Sequence, residues 1–90
     1  MIWKVVNQSI ENSKNMVKAY MTLQYCSDAG EIMSQRIISS VSNDNQNAYA
    51  NLLKDLKAAA DAAKADMIAE ANSKNTLQNL VNEVDTYVKA

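Results

Sequence analysis

Few residues in this chain can do chemistry. It has 90 residues, no His and a single Cys, Cys26. A thiol nucleophile needs a base to draw off its proton, and the usual base is imidazole. With no imidazole in the chain, Cys26 reads as a small apolar residue near the end of an element. One Cys forms no internal disulfide and no Cys-rich metal site. The ten acidic residues are spread singly. Carboxylate di-metal bundles need inward Glu residues and Glu-x-x-His pairs, which this sequence does not have. Glu31 is accounted for as a capping residue, and Asp66 with Glu70 as like charges on a wet helix face. No Ser has a visible Lys partner. A single Gly rules out Gly-rich phosphate loops. No catalytic residue, cofactor site or metal site is expected, and the chain is read as a non-enzyme.

Macromolecular ligands narrow in the same way. Nine Lys plus Arg against ten Asp plus Glu give a net charge of −1. Residues 1–45 carry net 0 and residues 46–90 net −1. Nucleic-acid binding needs a basic stripe to neutralise phosphates, and none is visible. Lys54, Lys57 and Lys64 interleave with Asp55 and Asp61, as in helix-stabilising pairs. No apolar run reaches the ~20 residues that cross a bilayer. Neither nucleic acid nor membrane is expected as a partner, and the location is expected to be cytoplasmic. What remains is protein recognition. Trp and Tyr are enriched where interfaces concentrate their energy, and Met adapts to irregular partners. Trp3, Tyr20, Met21 and Tyr25 are therefore the candidate partner-binding residues.

The elements that would position these residues read as helices. There is no Pro, one Gly and 13 Ala, a composition that favours long helices. At 100° per residue, Ile2, Trp3, Val5, Val6, Ile10, Met16, Val17, Tyr20, Met21 and Leu23 gather on one face of a helix over 2–24. Asp28-Ala29-Gly30-Glu31 fits a capping box opening a second helix over 29–41. One helix running through Gly30 is the alternative. Ser42-Asn43-Asp44-Asn45-Gln46-Asn47 is the clearest loop. Beyond it, Tyr49, Leu53, Leu56, Ala60, Ala63 and Met67 step by four and three, as a heptad seam does. A third helix is expected over 46–71. Asn72-Ser73-Lys74-Asn75 interrupts the seam and precedes a fourth segment, 76–89, carrying Leu77, Leu80, Val81, Val84, Tyr87 and Val88. A continuous helix is again the alternative.

The fold expected from this pattern is all-α: a single helical domain over 1–90. It would be a small antiparallel helical bundle or a long helical hairpin of up to four segments, oligomerising through coiled-coil contacts along the 49–67 seam. The length and hairpin pattern resemble the WXG100 secreted proteins, although the central loop reads Asn43-Asp44-Asn45-Gln46 where that family has Trp-x-Gly. Asn75-Thr76-Leu77-Gln78-Asn79-Leu80-Val81-Asn82-Glu83-Val84-Asp85 resembles the tail of type III secretion needle subunits, over about an eighth of the chain. By size and class the chain is also similar to phage or mobile-element inhibitors and to immunity proteins. The expected function is a small inhibitor or adaptor that docks an apolar, aromatic helix face onto a larger protein partner. The alternatives are a homo-oligomer serving assembly or secretion, and a ligand-binding helical bundle.

Overall fold

The computed structural model describes residues 1–44 and 46–90. Three antiparallel strands, β1 (Ile2–Ser13), β2 (Met16–Cys26) and β3 (Ile32–Ser42), precede one helix, α1 (Ala48–Lys89). The sheet order is β1-β2-β3, a meander. The all-α bundle and its coiled-coil seam are therefore wrong, because the first half of the chain is sheet. The reason lies in how residue types are distributed. Five of the six Ile fall within 2–38, while ten of the 13 Ala fall within α1. β-Branched side chains fit a pleated surface, and Ala fits a helix. The wide face read over 2–24 is two strands joined at Lys14-Asn15, where Asn15 takes φ 61°. Asn tolerates that left-handed turn conformation.

Alternation along β2 sets the core. Val17, Ala19, Met21, Leu23 and Tyr25 share the helix-facing side. β1 pairs Val5 with Leu23 and Ile10 with Ala19. One extra residue between Val6 and Ser9 makes a bulge, with Asn7 at φ 55°. Without the bulge, Val5 and Ile10 would lie on opposite faces; with it, both face the helix side. Gly30 turns the chain between β2 and β3 at φ 91°, a conformation that favours Gly. The expected capping box at Asp28–Glu31 is part of this turn, in which Glu31 N–H donates to Ser27 Oγ at 3.1 Å.

α1 runs antiparallel to β3 and lies over β3 and, less, β2; its backbone does not approach β1. It passes through Asn72–Asn75 without a break, so the fourth segment is a continuation of the third. At 1.5 Å per residue its 42 residues measure about 63 Å, and the molecule is 66 Å long. The polar run 42–47 does join β3 to α1, and Asn45 within it lies outside the described residues. Asp44 holds the helix start: its carboxylate accepts from Gln46 N–H at 2.9 Å and Asn47 Nδ2 at 2.7 Å. Asn47 first, then Gln46, keep its carboxyl below the ordinary range.

Candidate functional site

The side of β3 that meets the helix is mostly polar. Ser34 Oγ donates to Glu70 at 2.7 Å and Ser40 Oγ donates to Asp55 at 2.9 Å. Asn51 Nδ2 donates to Ser42 Oγ at 3.2 Å. Arg36 pairs with Glu70 and lies 3.8 Å from Asp66. The Ser34 hydrogen bond, aided by the charge of Arg36, holds the Glu70 carboxyl below its ordinary value. Each acid in this row, Asp55, Asp66 and Glu70, has a partner on β3, so the row is a clasp between sheet and helix.

Apolar packing fills the middle. Met67 and Ala63 on α1 close over Leu23 and Ile38. Trp3, Met21 and Tyr25 pack against that cluster and are half-buried. The Trp3 and Tyr25 rings lie 4.3 Å apart at 32°, a cross-strand pair set by register. Lys64 Nζ sits 5.3 Å from the Trp3 ring centre, a cation–π distance. Tyr20 points to the opposite side of the sheet and donates to Glu11 at 2.9 Å. The four residues singled out from sequence thus do not form one patch: Trp3, Met21 and Tyr25 are together, and Tyr20 is across the sheet from them. Cys26 is buried and carries a free thiol.

The 49–67 series splits as well. Ala63 and Met67 are buried, and Leu56 and Ala60 pack at the core edge. Tyr49 and Leu53 are exposed. The partner that the seam covers is a sheet of the same chain, not another helix. Tyr49, Leu53 and Leu56 instead line an open apolar groove of about 330 Å³ with Ile10, Val17 and Ala19. The groove exists because α1 sits to the β3 side and leaves the inner face of β1 uncovered.

A second open surface lies at the other end. The last link between α1 and the sheet is Lys74 Nζ donating to Ile32 O at 3.3 Å. Residues 75–89 then project as an arm of about 22 Å. Leu77, Leu80, Val81, Val84, Tyr87 and Val88 are all more than half exposed on it. Sequence reasoning placed these six on a helix face but did not single them out as a site. The signal was available: residues 77–88 repeat apolar groups by three and four, with no matching helix to receive them.

Among the described residues, no three Cys, Asp or Glu side chains gather where a metal could sit. No helix among them is long and apolar enough to cross a membrane. No family model matches the chain, and no curated protein or solved structure matches it.

Proposed function

We propose that this protein works by binding another protein, not by catalysis, and that the arm is its docking element. The sheet with residues 48–74 of α1 is the base that holds the arm. The arm lays its apolar face into a groove of a larger protein, blocking or bridging it, in the helix-in-groove manner. The observation that carries this reading is the stripe Leu77, Leu80, Val81, Val84, Tyr87 and Val88, each of them more than half exposed. Full burial of a Leu or Val side chain contributes roughly 1.5–3 kcal/mol. Several such residues, burying about half of that each, offset the several kcal/mol that association costs. Asn75, Asn79 and Asn82 keep the rest of the arm polar.

The test is a comparison of full-length baits in extracts of the cells that make the protein. A Leu80→Asp/Val84→Asp chain should keep the wild-type circular dichroism spectrum and release at least one protein, other than a second copy of this chain, that the wild type retains. Equal retention by both baits would show that the arm is not the docking element.

A further inference from the structure

The chain leaves two apolar surfaces open, and they match each other. We infer that the arm of one molecule lies in the trough over β1 of a second copy, and that the exchange is reciprocal, giving a two-fold dimer. This rests on the reading of the arm as a docking face and names its resting partner. The lengths agree. The arm measures about 22 Å, and β1 from Trp3 to Ile10 extends about 23 Å. The width agrees too. β1 lies two strand spacings from β3, about 9.6 Å, and packed helices lie about 8–10 Å apart. A helix placed over β1 would therefore sit one helix-packing distance from α1, which lies mainly over β3.

The facing residues suit one another. Val5, Ile10, Tyr49 and Leu53 offer exposed apolar surface along the trough. On the arm, Leu77 and Val81 follow Ala59 and Ala63 by 18 residues, which is five full turns. They point the way Ala59 and Ala63 point, and those two pack on the chain's own sheet. Leu77 and Val81 thus continue the sheet-packing side of α1 and are offered to a second sheet, with Leu80 and Val84, which follow Ala62 and Asp66 by the same five turns, flanking them. Charge complementarity points to another copy as the occupant. On α1, Lys64 lies over Trp3 of β1 and Lys57 follows the groove residue Leu53 by four residues, on the same helix side; the arm carries Glu83 and Asp85. Among the described residues, Lys57 and Glu83 have no ion-pair partner within the chain. Seating the arms antiparallel places Glu83 beside Lys57 of the other copy. Two identical contacts form together, as an isologous interface requires, so each stripe counts twice toward the area of a stable interface.

Sedimentation velocity of the purified full chain, over a concentration series, tests this without any other protein present. The wild type should sediment as a dimer. Ile10→Asp in the trough and Val84→Asp on the arm should each give a monomer with unchanged circular dichroism, since both side chains are exposed. Lys57→Glu and Glu83→Lys should each weaken the dimer several-fold, and the two together should restore it. A wild-type monomer at every concentration overturns the inference. An Ile10→Asp dimer as tight as wild type overturns it as well, because the arms would then be pairing with each other. If neither charge reversal moves the dissociation constant, the antiparallel seating is wrong. A failed capture experiment with the Leu80→Asp/Val84→Asp bait would leave these measurements standing.

Discussion

The two ends of α1 differ in an instructive way. Over the sheet, the helix faces the core with small residues: Ala59, Ala60, Ala63 and Ala71 beside Leu52, Leu56 and Met67. Five turns on, Leu77 and Val81 take the places of Ala59 and Ala63, and Leu80, Val84 and Val88 lie beside them. The arm's Leu and Val side chains thus stay more than half exposed, while the base buries smaller ones, Ala63 and Ala71, beside Leu52 and Met67. Small residues are needed where the helix backbone must come close to β3, so that serine hydroxyls can reach Asp55 and Glu70. Bulky residues contribute only when something covers them. Apolar content alone does not locate the core of this chain; the clasp partners do.

The comparison is sharpest at Met67, which is 0% exposed and sits over Leu23 and Ile38. Met67→Ala removes a buried side chain and leaves a cavity that the short sheet cannot close. The expected loss is about 2–5 kcal/mol. For a chain of this size each kcal/mol lowers Tm by roughly 4–8 °C. A thermal melt followed by circular dichroism reads it directly. A change below ~0.5 kcal/mol, the scale of surface substitutions, would mean that the base is not the stable half.

A smaller effect is expected from the clasp, and it depends on pH. The folded carboxyl of Glu70 lies below its ordinary value of 4.5, through Ser34 first and Arg36 next. A depressed carboxyl contributes stability above the unfolded value and loses it as pH falls through the folded one. Glu70→Gln should therefore melt below wild type at pH 7. The difference should shrink as pH drops from about 4.5. Asp85, paired with Lys89 at 3.0 Å on the arm, makes a useful control. Exposed i,i+4 pairs contribute little, so Asp85→Asn should leave Tm nearly unchanged at either pH. A Glu70→Gln gap that does not narrow at all as pH falls below about 4.5 and on to full protonation of the folded carboxyl would place the role of Glu70 in packing instead of charge.

What the sequence makes legible follows the same division. The helix over 46–71 and the polar loop before it are readable because Ala-rich heptad spacing and a run of Asn, Asp and Gln are strong local signals. The strands are less readable. In β2 the alternation Val17, Ala19, Met21, Leu23, Tyr25 is present, but Tyr20 and Thr22 between them blur it into a wide helical face. In β3 the helix-facing positions include Ser34, Arg36, Ser40 and Ser42, so the inner side looks like an outer side. Only the distant Asn51, Asp55 and Glu70 explain those serines, and no local window contains them together with the strand. In β1 the bulge at Asn7 shifts the period by one between Val5 and Ile10. The break read at Asn72–Asn75 fails for another reason. Four polar residues interrupt an apolar face without interrupting helix propagation, which adds a backbone hydrogen bond per residue once the helix is nucleated. Among the proposed binding residues, the pairing of Trp3 with Tyr25 depends on strand register, which a helical reading does not contain.

The arm gives the smallest expected effect and the clearest contrast with Met67. Val84 is 59% exposed and lies ten residues beyond the last helix–sheet hydrogen bond, that of Lys74. Val84→Ala deletes apolar surface that is already wet in the monomer, and Ala has the higher helix propensity. Stability should change by less than about 0.5 kcal/mol in either direction. The measurement belongs at low protein concentration, because a dimer that buries Val84 would add a concentration-dependent contribution. Hydrogen exchange provides a second reading. Helix ends held only by their own backbone bonds open locally at little cost. Amides of residues 78–89 should therefore exchange ahead of those in 56–71, and Val84→Ala should not alter exchange in the base. If the arm amides are instead as protected as those around Met67 in dilute solution, the two halves of α1 open as one unit and the contrast between them fails.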